Sequence, residues 1–208
     1  MIEIIFKGGP IMIPIILCSI AGLAIIIEKL WVLRRVKMNM EAFSEDVFAK
    51  LRAGKTDAAL DLCDEHKEYP LAVIFKAGIE KREKPPFELE KIMERVGNNQ
   101  VKDLEKYLGG LISIIGIEPL LGFLGTITGL IKAFMAWEKA GSNITVSALA
   151  SGMYQAMITT AAGLIVAAPY FLIYNYIISK IRYISMDLTD YSMRLVEVLS
   201  EAKVSGKK

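Results

Sequence analysis

The chain has 208 residues, of which 53% are hydrophobic, and its mean hydropathy of +0.41 is high for a soluble domain, so membrane spans are sought first. Its 25 Lys and Arg against 23 Asp and Glu leave a net charge of +2, which gives no bulk attraction toward nucleic acid. Two cysteines exclude a disulfide framework; the lone His66 excludes a multi-histidine metal site and leaves one anchor for a histidine-dependent triad.

The charges are unevenly placed. From Leu108 to Ser179 there are four, Glu118, Lys132, Glu138 and Lys139, whereas Arg34 to Lys106 carries 15 basic and 15 acidic side chains. A helix crosses a bilayer with about 20 apolar residues. Gly8 to Ile27 is such a run and carries no charge. It reads as a retained anchor rather than a cleaved signal peptide, because Glu3 offsets Lys7 and Glu28-Lys29 follows directly. We assign residues 1–31 to this first span and residues 32–106 to a cytoplasmic loop.

The loop reads as helices. Phe43, Val47 and Leu51 fall at helical spacing before Gly54. Asp57 is placed to cap a short helix carrying Ala58, Leu60 and Leu62, and Pro70 opens another with Val73, Ile74 and Ala77. Pro85-Pro86 is a breaker, after which Leu89, Ile92, Met93, Val96, Val101 and Leu104 form a stripe expected to run unbroken into the second span. Cys63 and His66 lie close together, but one thiol and one imidazole on a charged helix end read as surface residues.

The second span is assigned to 107–137, a periplasmic loop to 138–145, the third span to 146–179 and a cytoplasmic C-terminal helix to 180–208. Ala140 to Ser179 has no charge; those 40 residues would cover roughly 60 Å as one helix, so the last helix should project past the bilayer. Lys29, Arg34, Arg35, Lys37, Lys102, Lys106, Lys180 and Arg182 flank the spans, and the positive-inside rule puts them in the cytoplasm, with the N-terminus periplasmic. The fold class expected is an all-α, three-span integral membrane protein with a helical cytoplasmic domain and long helices continuing from membrane into cytoplasm.

Within the spans, Gly122, Gly125 and Gly129 permit close helix approach, and Pro119 deprives the carbonyl near Ile115 of its helix bond. Gly152, Ala156, Thr159 and Gly163 make a second small-residue stripe, Gln155 shares a face with Thr159, Thr160 sits about 100° round, and Pro169 follows as a site for a bend. Threonines in membrane helices often bond back to a carbonyl one turn earlier, so plain helix glue is one reading. A polar path is the other, since Thr126 and Thr160 lie at comparable depth and Gln155 and Glu118 are costly in lipid.

Leu120-Leu121-Gly122-Phe123-Leu124-Gly125-Thr126-Ile127-Thr128-Gly129, followed by Leu130 to Phe134, resembles the second-span motif of the ExbB/TolQ/MotA family. Ala150 to Leu164, running on to Ala168-Pro169 and Tyr174-Asn175, resembles its third-span motif, and three spans point to the ExbB/TolQ branch. The resemblance implies a subunit of an inner-membrane ion-driven motor rather than an enzyme. It implies a homopentamer around a dimer of a single-span ExbD/TolR-like partner that carries a membrane aspartate. A TonB/TolA-like transducer would receive the work, lipids would surround the complex, and no nucleic acid or cofactor is implied. Thr126 and Thr160 match the threonines that line the family's ion path.

Two departures matter. Gln155 stands where ExbB and TolQ usually carry a glutamate, and Glu118 stands where a small residue is usual. Glu118 either restores a carboxylate to the path, faces the cytoplasmic vestibule or pairs with a neighbour's basic residue. The ion is a proton or sodium. Gln155 and the extra hydroxyl of Thr159 lean toward sodium, with Thr126 and Thr160 as transient ligands, because a dehydrated sodium ion needs several neutral oxygens. The rival reading is a passive oligomeric scaffold.

Overall fold

The computed structural model describes residues 7–36, 39–140 and 146–205. Among them lie seven helices and no strand: α1 (Met12–Arg35), α2 (Met40–Arg52), α3 (Thr56–Glu65), α4 (Pro70–Glu80), α5 (Pro86–Glu105), α6 (Leu108–Ala140) and α7 (Val146–Ser205). The all-α class therefore holds. Three helical runs, Met12–Arg35, Pro86–Lys139 and Leu149–Glu201, are long and apolar enough to cross a membrane. Of the loop assigned to 138–145, residues 141–145 lie outside the described residues.

The contacts divide the chain into two units. One holds Met1–Glu28 and Tyr107–Tyr176; the other holds Lys29–Lys106 and Ile177–Lys208. The 60-residue α7 supplies residues to both.

The second unit has an apolar core. Phe43, Val47, Phe48 and Leu51 from α2, Ala59 and Cys63 from α3, and Leu71, Ile74, Phe75 and Ile79 from α4 are buried with Leu188, Leu195 and Leu199 of α7. Phe75 is the centre: its ring lies 5.6 Å from that of Phe48 and 5.9 Å from that of Phe43, an offset geometry that aromatic quadrupoles favour. Local chemistry sets the helix ends. Asn39 caps α2 by accepting from the Ala42 amide at 3.2 Å. Gly54, at φ 71°, stops it, and the Lys55 amide reaches back to the Lys50 carbonyl at 2.9 Å.

Four expectations need correcting here. Asp57 is not the cap of α3: Lys55 takes that position without a side-chain bond, and Asp57 sits in the first turn, where it still complements the helix dipole. The fully buried face of α3 is Ala59 and Cys63, with Leu60 and Leu62 only partly buried. The stripe of α5 does not run unbroken into α6: the chain leaves the helix at Lys106 (ψ 137°), and Tyr107 adopts φ 67° before helix resumes. A left-handed tyrosine breaks a helix because its Cβ crowds the backbone there. Neither Cys63 nor His66 is the surface residue expected: Cys63 is buried and His66 is half-buried. Its Nδ1 lies 3.0 Å from the Leu62 carbonyl, and its ring packs against Phe43 and Tyr69.

Cys63 is 1% exposed, and burial, with Asp64 beside it, pushes its thiol up to about 12 from an ordinary 9.0. The unfolded chain therefore loses this proton first. The stability of this unit should fall as pH rises above about 9, because the folded state then holds one more proton than the unfolded state. Urea midpoints between pH 8 and pH 10.5 test this, with Cys63→Ala as the variant that should flatten the decline.

Candidate functional site

The first unit is organised by two stripes of residues that meet in antiparallel register. On α6, Leu111, Ile115, Glu118, Gly122, Gly125, Gly129 and Ala133 recur at three- and four-residue spacing and are all buried. On α7 the matching stripe is Gly152, Gln155, Ala156, Thr159, Gly163, Ala167 and Tyr170. Backbones approach so closely that side chains have no room. A Cβ on Gly129 would lie 2.7 Å from the Gly152 carbonyl oxygen and 2.8 Å from the Ala156 nitrogen. A Cβ on Gly122 would lie 3.0 Å from the Thr159 carbonyl oxygen, and Gly125 faces the Thr159 side chain. Gly163 meets the carbonyl of Glu118. Helix α1 joins where Gly22 receives the Tyr170 ring, whose hydroxyl donates to the Ser19 carbonyl at 2.7 Å.

This approach brings the threonines together. Thr126 and Thr160 are hydrogen-bonded to each other through their hydroxyls. The Thr126 hydroxyl also lies 3.5 Å from the Gly122 carbonyl oxygen one turn earlier and 3.3 Å from that of Ala156 on the other helix. The Thr160 hydroxyl mirrors it, 3.2 Å from Ala156 and 3.1 Å from Gly122. Two hydroxyls and two carbonyls thus form one four-oxygen cluster. Two protons serve it, fewer than its lone pairs can accept, so it is rich in acceptors. Plain back-bonding and a polar cluster are here the same atoms: each hydroxyl shares its own helix's carbonyl with its partner.

The other expected residues take distinct places. Thr159 is fully buried, and its hydroxyl points to the carbonyls of Gln155 (3.0 Å) and Ala156 (3.1 Å), touching the cluster only through the latter. Gln155 accepts a hydrogen bond from the Lys132 ammonium at 2.9 Å, and its amide nitrogen lies against Gly9, which is held at φ 72°. Glu118 is buried on the α6 stripe, eight residues or roughly 12 Å along the helix from Thr126. Pro119 and Pro169 both sit inside helices.

Lys132, Gly9 and the Ala156 carbonyl carry no role in the sequence reading. A lone cation in an apolar run was the available signal for Lys132, since intramembrane charges are seldom idle. Gln155→Glu should turn its contact into an ion pair. Because Lys132 is exposed, a double-mutant cycle with Lys132→Met is expected to return a coupling of about 1 kcal/mol. A coupling near zero would mean the two side chains do not pair.

Three apolar helical runs, with a close-packed helix pair that encloses polar oxygens, define a polytopic membrane protein. Residues 66–190 match the MotA/TolQ/ExbB proton channel family, and the chain belongs to it. The chain is 30% identical over 177 residues to a Synechocystis protein named biopolymer transport protein ExbB-like 1, covering 83% of this chain and 68% of that one. It is 31% identical over 182 residues to an ExbB homolog of Methanothermobacter thermautotrophicus, covering 86% and 63% respectively. It is also 29% identical over 102 residues to the Tol-Pal system protein TolQ of Haemophilus influenzae, covering 49% of this chain and 44% of the relative. The chain thus spans about two-thirds of the length of the first two relatives.

Proposed function

We propose that this chain is a subunit of an inner-membrane motor that spends an ion gradient on envelope work such as TonB-type import or Tol-type maintenance. The observation that carries this reading is the four-oxygen cluster of Thr126, Thr160, Gly122 and Ala156, set between apolar helices. Such oxygens replace the water shell of a dehydrated cation, or pass a proton along hydroxyls. In this reading Thr126 and Thr160 line the ion path and serve as transient ligands, Gln155 and Thr159 are its neutral neighbours, and Glu118 adds a carboxyl group on the same helix as Thr126.

The ion is a proton or sodium, with four neutral oxygens favouring sodium. Membership of the family supports a homopentamer around a dimer of a single-span ExbD/TolR-like protein, whose membrane aspartate would face the cluster, with a TonB/TolA-like protein receiving the work. The N-terminus is periplasmic and the C-terminus cytoplasmic, with residues 32–106 and 180–208 in the cytoplasm. No catalytic role and no cofactor are assigned. The close glycine contacts favour one other reading, a passive scaffold in which the same stripes only assemble helices.

Coexpression with the single-span partner and reconstitution in liposomes separates these readings. Under an imposed potential, sodium uptake or internal acidification is expected. An intact complex that passes neither ion would leave the scaffold as the function.

A further inference from the structure

Glu118 is 0% exposed, and among the described residues neither of its carboxyl oxygens has a hydrogen-bond partner or an ion pair. It occupies the buried stripe of α6 between Ile115 and Gly122, and its own carbonyl is pressed against Gly163 of α7, where a Cβ would come within 2.5 Å. Three polar groups on the packed helices are engaged elsewhere. The Tyr170 hydroxyl donates to Ser19, the Lys132 ammonium to Gln155, and the Thr159 hydroxyl to its own helix.

An ionised carboxylate so placed is costly. Even after relaxation, its desolvation penalty is a large share of the whole stability of a folded domain. Two things could neutralise it: a cationic side chain from another subunit, or a proton. The carboxyl is already closed off within one chain, so a neighbour's ammonium or guanidinium has no route to it without parting α6 from α7.

We propose that Glu118 is a proton-binding site, with its carboxyl carrying a bound proton sealed inside the first unit. The charged form needs water, and water reaches it only when the α6–α7 contact at Gly163 opens. Proton loss and helix separation are therefore linked: each favours the other by the same free energy. The inference rests on burial and packing rather than on the ion-conducting reading, and it is tested on the chain alone, with no partner and no flux. Failure of either can thus be told from failure of the other.

The test is an infrared difference spectrum at neutral pH between the full chain in lipid vesicles and its Glu118→Gln variant. The expected result is loss of a C=O stretching band of a protonated, non-hydrogen-bonded carboxyl, with the carboxylate bands unchanged. Loss of carboxylate bands instead would overturn the proposal. Glu118→Leu gives the same spectrum by a second route should the amide variant misfold, since an apolar side chain suits a site whose closed form is uncharged. Thermal midpoints of both variants are expected to stay at or above that of the wild type. A fall accompanied by weakened self-association would reveal an ion pair between subunits and would also overturn it.

Discussion

On the proposed function, Thr160→Val in a complex with the proposed single-span partner is expected to abolish ion flux while leaving assembly intact. Valine keeps the shape of threonine and removes one oxygen of the four. Thr126 retains its bonds to the Gly122 and Ala156 carbonyls, so the helix pair should lose only about 1 kcal/mol. On that reading the ion would lose a quarter of its replacement shell. A rise of ~3 kcal/mol in the barrier is about 100-fold in rate. Thr160→Ser, which keeps the oxygen, should restore conduction. Flux at the wild-type rate in the valine variant would remove the cluster from the path and leave Thr160 as helix glue. The ion that moves in the wild type decides between proton and sodium in the same assay.

The second large effect is on assembly of the helix pair. Gly152→Ala is expected to cost about 1–3 kcal/mol and to lower the yield of folded protein, and Gly152→Leu to prevent folding. A methyl at Gly152 would come within 2.6 Å of the Gly129 carbonyl oxygen and 2.9 Å of the Ala133 nitrogen. Backbone atoms cannot swing aside as a flexible side chain can, so α6 and α7 would have to part along the whole stripe. Gly109→Ala and Gly116→Ala, on the facing helix α6, are the controls: nothing lies within 4 Å of a Cβ at either, and alanine should gain about 0.5–1 kcal/mol in helix propensity. Thermal midpoints in detergent read all four. If the Gly152 and Gly109 variants behaved alike, the close contact would not be what holds the pair.

These contrasts show how far a glycine can be read from sequence. Gly122, Gly125, Gly129, Gly152 and Gly163 are legible as packing positions because they recur at helical spacing beside Thr159 and Thr160. Gly109 and Gly116 carry the same residue type in the same span, yet their faces meet open space. Composition names the small residues; only the pairing register says which of them a neighbour needs.

The linear order of residues settles the class, the membrane runs and the family, because the hydrophobic transfer energy of a helix is a sum over neighbouring residues and the motifs are local. It also determined most helices of the second unit, where Pro70, Pro86 and Gly54 mark ends by their own backbone chemistry. What depends on distant atoms emerges only where the helices pack. The bond between Thr126 and Thr160 joins residues 34 apart, and that between Lys132 and Gln155 joins residues 23 apart. The interruption at Tyr107 overrides an apolar stripe that reads as continuous helix. The side chain of Thr159 turns to its own helix although it neighbours Thr160 in sequence, since one residue is 100° of rotation. The three environments open to Glu118 were equal in sequence, and its burial against Gly163 was decided by how two helices meet. Such contacts are long-range sums of packing and hydrogen bonding, and no local pattern encodes them.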